Sequence, residues 1–327
     1  MSAKSSGRAE SAITLQSNLF VAAHMPVAVA LGERLAELIA QPDEFMSTLE
    51  QGLAEIADPI YVIGVRSVTP GLGNVLGVRL PLLEAAHKSL RKATKKTSTS
   101  LILEVTGRLL DHEAADVRWF GMWNLERLLS TDPERTWQLM HRAAAEAGEW
   151  ISVDTLAHSY ATGILLDELR WAELEQLAQS SSRWERRLVG STLATLPHVK
   201  HAGSGDETVA LRGVQLISLL IGDAEPDVQK ALSWALRSLA AIDTAAVVTF
   251  VENEAGTARA TDDGHRAWVL RDSLPKLPAG TQKSVKAGLE GIRRRPGAPS
   301  TSLAAATAAE SASADAAQRP RPSSREE

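Results

Sequence analysis

Cysteine is absent from the 327 residues. That excludes disulfides, a thiol nucleophile and cysteine-ligated zinc, and it accords with a reducing cytoplasm, the expected location. Aromatics are scarce at 4%, yet eight of them are Trp against two Tyr and four Phe, so each indole has to be sorted into core or working surface. Long apolar runs are missing too. Leu19 to Leu31 is too short to span a bilayer, is interrupted by His24 and Pro26, and has no clear cleavage site after it; neither a membrane span nor a signal peptide is expected. The eight His lack ligand spacing, and His112-Glu113 has no second His one turn on. No metal and no other cofactor is expected.

A surplus of cations is also lacking. The net charge is −5, and the first sixty residues carry three cations (Lys4, Arg8, Arg34) against eight anions, which leaves the remainder balanced. A nucleic-acid reader usually shows a more basic total, so that function requires cations gathered on one face. One such gathering exists. On a helix opening near Pro81, at about 100° per residue, Leu82, Leu83, Ala86, Leu90 and Ala93 fall on one arc. Lys88, Arg91, Lys92, Lys95 and Lys96 fall on the opposite arc, either a solvated face or a strip that contacts phosphates.

Turn signals and apolar periodicity divide the rest into helices. Residues 1–15 read as a flexible terminus, followed by helical patterns at about 26–40 and 43–57. Asp58 to Leu80, rich in Gly, Pro and Val, reads as a loop, since its Gly71 to Gly77 run does not match the dinucleotide fingerprint. From about 98 to 294 only helical patterns appear, broken at Pro133, Gly148, Pro197, Gly222 to Pro226, Gly256 and Pro278 to Gly280. Helix pairs recur every ~35 to 45 residues, the period of HEAT-like arrays. The expectation is an all-α, HEAT-like helical-repeat solenoid over 16–295 as a single domain, curved, with a concave groove that a long ligand would occupy. Residues 296–327, mostly Ala, Ser, Pro and Thr, cannot bury enough apolar surface to offset ordering entropy and are expected to be a disordered tail.

Three stretches concentrate chemistry. Trp150 precedes Asp154 by four residues, which on a helix stacks indole and carboxylate on one face. Arg183-Trp184-Glu185-Arg186-Arg187 and Lys230 to Arg237 again combine indoles with cations. In the last, Val228, Ala231, Leu232, Ala235, Leu236 and Leu239 form a core stripe, whereas Lys230, Trp234 and Arg237 project from the other side. Trp234 is then either covered by a neighbouring repeat or displayed to an anionic partner with something to stack.

With Gln229 to Arg237 followed by Asp243, Trp184-Glu185-Arg186-Arg187, the Trp150/Asp154 pair and Gly77-Val78-Arg79-Leu80-Pro81 in that reverse order along the chain, the sequence resembles the AlkD-like DNA alkylation repair family of HEAT-like DNA glycosylases over about residues 75 to 275. The resemblance implies excision of cationic N3- or N7-alkylated purines, such as 3-methyladenine and 7-methylguanine, from double-stranded DNA, with Trp150, Asp154, Arg187 and Trp234 as the working residues; a monomer is expected. Residues 1–60 match poorly, and the segment from His198 to Arg212 is longer than the family's pattern.

The chemistry suits these residue types. An alkylated purine already carries positive charge, so its departure needs no general acid. What needs stabilising is the charge growing on the sugar, which the Asp154 carboxylate could balance while orienting water. Trp150 and Trp234 would face the cationic nucleotide. Arg187, with Arg237, Lys230 and the Lys88 to Lys96 strip, would hold phosphates. Each assignment has a structural rival: Asp154 as cap of a helix beginning at Thr155, Trp150 as a staple, Arg187 as an ion-pair residue. Trp184 reads as core, and Trp119, Trp123, Trp137, Trp171 and Trp268 as packing residues. The alternative function is a non-catalytic scaffold that binds DNA or protein.

Overall fold

Helix signals of the kind expected from the sequence recur from Pro42 to Gly288 in the computed structural model, which describes residues 12–200 and 202–307. The helices are α1 (Ala12–Glu37), α2 (Pro42–Glu55), α3 (Pro59–Val68), α4 (Leu80–Ala93), α5 (Thr99–Leu110), α6 (Ala115–Leu129), α7 (Pro133–Glu146) and α8 (Trp150–Leu166). They continue as α9 (Trp171–Ala178), α10 (Arg183–Thr195), α11 (Glu207–Leu220), α12 (Pro226–Leu239), α13 (Thr244–Thr261), α14 (Gly264–Ser273) and α15 (Ala279–Gly288). Among the described residues there is no strand, only isolated bridges at Ala57 with Val78 and Asn74 with Ala114. The architecture is an all-α helical repeat.

The chain parts into two compact units, one ending at Thr136 and the other beginning at Trp137, where the sequence suggested one domain. In the N-terminal unit α1 packs on α4 and α4 on α6, while α2 and α5 form a second layer. Gly32 permits the closest approach: a Cβ there would lie 2.1 Å from the Ala86 carbonyl oxygen. By length and composition Thr14–Glu37 could cross a bilayer, since α1 starts well before residue 26 and runs through Pro26. Its Ala28, Leu31 and Leu35 are nonetheless buried.

The stretch expected to be a loop holds α3. Pro59 occupies its first turn and Asp58 caps it, accepting from the Ile60 N–H. The glycine-rich remainder is tied down by a buried carboxylate: Asp116 accepts from the N–H groups of Leu76 at 2.8 Å and Val78 at 2.9 Å. Burial raises the Asp116 pKa, with these donors working against it.

In the C-terminal unit the helices alternate between two layers. One runs α8, α10, α12, α14 and the other α9, α11, α13, α15, each helix touching the next in its own layer. The core stripe of α12 is as expected: Val228, Ala231, Leu232, Ala235, Leu236 and Leu239 are all fully buried. Each Leu contributes roughly 1.5–3 kcal/mol on burial. Helix α13 continues through Gly256, where a break was expected, and ends at Asp262 in the left-handed region at φ 52°.

Residues 296–307 correct the expectation of a tail beginning at 296. The Thr301 N–H donates to the Gly222 carbonyl at 2.9 Å, Ser302 and Ala304 are buried, and His265 Nε2 lies 3.1 Å from the Ala298 carbonyl. Small side chains let this strand of backbone lie against Gly222 and be held by hydrogen bonds instead of large apolar groups. The rest of the expected tail, 308–327, and residues 1–11 of the expected flexible terminus lie outside the described residues.

Candidate functional site

The N-terminus of α8 sets the first part of the site. Glu149, not Asp154, is the cap: its carboxylate accepts from the N–H groups of Ile151 at 2.5 Å and Ser152 at 2.9 Å. Trp150 therefore opens the helix and Asp154 stands one turn further on the same face, inside the helix and free of any capping duty. Both side chains are half-buried.

Helix α10 supplies what holds Asp154. Arg187 Nε donates to Oδ1 at 3.1 Å and Nη2 to Oδ2 at 2.8 Å, a two-point grip, while Ser191 Oγ donates to Oδ1 at 2.6 Å. Oδ1 thus accepts from two donors and Oδ2 from one. Arg187 is 7% exposed and Asp154 22%, so the guanidinium is sealed and the carboxylate keeps a path to solvent. The third guanidinium nitrogen, Nη1, donates to the Asp227 carbonyl at 2.7 Å, which makes Arg187 a rivet through α8, α10 and α12. The expected phosphate grip is not available to a side chain committed in this way.

From Asp227 the same face of α12 leads to the remaining residues. Lys230 follows by three positions and Trp234 by seven, about 10.5 Å along the axis and within ~20° of Asp227 in rotation. Lys230 is exposed and Trp234 half-buried. Trp234 is therefore not sealed in the core. Arg237 is occupied: its Nη1 donates to the Asp272 carboxylate and carbonyl, both at 2.7 Å. Partial burial works against ionisation of Asp272, but Ser233 and Arg237 outweigh it and hold its pKa below the ordinary value. Like Arg187, Arg237 is an ion-pair residue and not a free phosphate ligand.

Other Trp residues fall out less uniformly than expected. Trp119, Trp137 and Trp171 are buried, whereas Trp123 and Trp268 are half-buried. Trp184, expected in the core, is half-buried with the Arg183 guanidinium 4.7 Å from its ring.

The N-terminal unit carries the basic strip. Helix α4 ends at Ala93, so Lys88, Arg91 and Lys92 lie on it while Lys95 and Lys96 lie on the following turn. Ala93, expected in the apolar arc, is exposed; His87 takes a buried place instead. All five cations are exposed. Four of them, Lys88, Arg91, Lys92 and Lys95, line a cavity of about 560 Å³ that sequence reasoning did not foresee.

The sequence also gave no sign of Ser191, whose role depends on a contact across helices, or of the use made of Arg79. That Arg, inside Gly77 to Pro81, donates through Nε to Asp58 at 2.7 Å and through Nη1 to Ser17 at 2.5 Å. It fastens α1, α3 and α4 together. Among the described residues no group of acidic and His side chains could hold a metal ion.

A family model described as DNA alkylation repair enzyme matches residues 49–277. Neither a search of curated proteins nor one of solved structures returns a match. The matched span takes in α4 to α14 with the Asp154 site and the basic strip, and at well over half of the sequence it shows that the chain belongs to the DNA alkylation repair enzyme family.

Proposed function

We propose that the protein is a monofunctional DNA glycosylase that excises cationic N3- or N7-alkylated purines from double-stranded DNA. The observation that carries this reading is the Asp154 carboxylate, clamped by Arg187 and Ser191 yet still reached by solvent. A carboxylate fixed in advance stabilises developing positive charge without the cost of reorienting at the moment of reaction.

In the reaction the bond between the sugar C1′ and the base nitrogen breaks, and the electron pair leaves with the base, which thereby becomes neutral. Positive charge builds on the sugar ring. Oδ2, with one donor against two on Oδ1, has the lone pair to face it. Water then adds through oxygen to C1′ and loses its proton to solvent, leaving an abasic sugar; Asp154 orients that water. Trp150 and Trp234 would present ring faces to the cationic nucleotide, each contributing on the order of 0.5–2 kcal/mol according to how far water is excluded. Lys230 and the strip from Lys88 to Lys96 would contact backbone phosphates.

One observation favours the rival reading, a non-catalytic scaffold. Arg187 partly cancels the charge of the carboxylate on which the chemistry depends. The two readings separate when the purified protein is incubated with methylated duplex DNA and free bases are resolved by chromatography. Release of 3-methyladenine or 7-methylguanine with matching abasic sites supports the glycosylase. Binding without release supports the scaffold.

A further inference from the structure

The cavity beside α4 holds a guanidinium that the basic strip does not include. Arg127, on α6, lines it together with Lys88, Arg91, Lys92 and Lys95, and no carboxylate lines it. None of these five cations has an ion pair among the described residues, unlike Arg187 and Arg237. Arg127 is half-buried, and among the described residues its guanidinium donates only to Thr94, from Nη1 to the hydroxyl at 3.2 Å and from Nη2 to the carbonyl at 3.4 Å. These are neutral acceptors at long distance. Burial, and then the neighbouring charge of Arg91, lower its pKa from the ordinary arginine value.

An arrangement of this kind is costly to the free protein. Like charges converge on one hollow, one of them is partly withdrawn from water, and nothing of opposite sign compensates. Anion binding removes that penalty, and a guanidinium presented with free donors suits a phosphate oxygen pair. Thr97 and Thr99 add hydroxyls at the rim where α5 begins.

We propose that this cavity is a phosphate-binding pocket, with Arg127 at its floor, which seats the backbone of undamaged duplex DNA independently of any lesion. The source of the phosphate rests on the DNA reading above; the anion chemistry does not.

The test uses the full chain and two probes, pyrophosphate and an undamaged duplex oligonucleotide. At constant ionic strength, pyrophosphate should raise the melting temperature of the wild type relative to chloride and should displace the duplex. Arg127→Gln should abolish the pyrophosphate effect and weaken duplex binding about tenfold or more. Lys92→Gln, at an exposed site where folding is not at stake, should weaken both and reduce the slope of log affinity against log salt by about 0.9. Wild-type melting that pyrophosphate leaves unchanged, with duplex affinity unaltered in both variants, overturns the pocket. Pyrophosphate binding that leaves the duplex in place overturns DNA as its occupant. If both probes behave as expected while no alkylated base is ever released, the pocket stands and the glycosylase reading falls.

Discussion

Removing Arg187 should cost the C-terminal unit more than any exposed cation could, and the cost should depend on Asp154 being present. In Arg187→Met the side chain keeps its bulk but loses the two-point grip on Asp154 and the bond to the Asp227 carbonyl. Breaking a buried pair from one side costs about 3–5 kcal/mol. Asp154 is 22% exposed, so water replaces part of what it loses, and about 2–3 kcal/mol is expected. Asp154→Asn alone costs a similar amount, because it leaves the sealed guanidinium without its counter-charge and turns an amide N–H toward Nη2 or Nε. In the double variant neither charge is stranded. The two losses should therefore fall short of additivity by about 1.5–2.5 kcal/mol, within the range for side chains in contact. Urea unfolding of the four proteins measures this directly, and each single variant should also melt roughly 5–10 °C lower. Additivity within about 0.5 kcal/mol would refute the reasoning, since it would mean that the two side chains do not meet.

Other expectations follow from the same contacts. His87 is buried against Phe120 and Trp123 and bonded to Asn124 at 3.1 Å; burial first, then Arg91 and Arg127, push its pKa down to about 4, with Asn124 opposing. The unfolded chain takes up this proton near pH 6.5 and the folded one only near 4, so stability falls as pH drops through that window, by roughly 3 kcal/mol in all. Urea midpoints between pH 7.5 and 4.5 should show this dependence, and His87→Gln should flatten it. Gly190→Ala places a Cβ 2.8 Å from that of Ala231 and 2.9 Å from its carbonyl carbon, so α10 and α12 must part. The net loss should be about 1–2 kcal/mol despite the gain in helix propensity. Gly256→Ala in α13, where a Cβ meets nothing within 4 Å, should stabilise by up to about 1 kcal/mol; the same sign for both in thermal melts would contradict the packing. DNA affinity should fall steeply with salt, and reversing the charges of Lys88 and Lys92 should weaken binding at every sequence alike. An affinity indifferent to both would remove the basic strip from the interface.

Helix positions and the α12 stripe were legible because apolar period and turn residues act locally. So was the sharing of one α8 face by Trp150 and Asp154, since helical spacing fixes it; Arg187, on another helix, was tied to them only by the family resemblance. What those residues do to one another was not. The conversion of Arg187 from phosphate ligand to clamp depends on α8, α10 and α12 packing side by side, as does the contribution of Ser191. Asp154 was open to reading as a cap because Glu149, the group that caps α8, is not among the usual capping types. Helix α3 was hidden by a Gly-, Pro- and Val-rich composition in which Asp58-Pro59 was the one start signal. Ordering of 296–307 was hidden for a different reason: it rests on hydrogen bonds to the Gly222 carbonyl, from the Thr301 N–H and the Ser300 and Thr301 hydroxyls, that composition cannot disclose.

The most direct measurement is the single-turnover rate of base release from 7-methylguanine-containing duplex by wild type and by Asp154→Asn, with duplex affinity determined for both. If the carboxylate stabilises the charged sugar, the variant should bind DNA within about twofold of wild type and excise about 100- to 1,000-fold more slowly, the loss expected when one preorganised electrostatic group is removed. Equal rates from the two proteins would contradict the account at its centre.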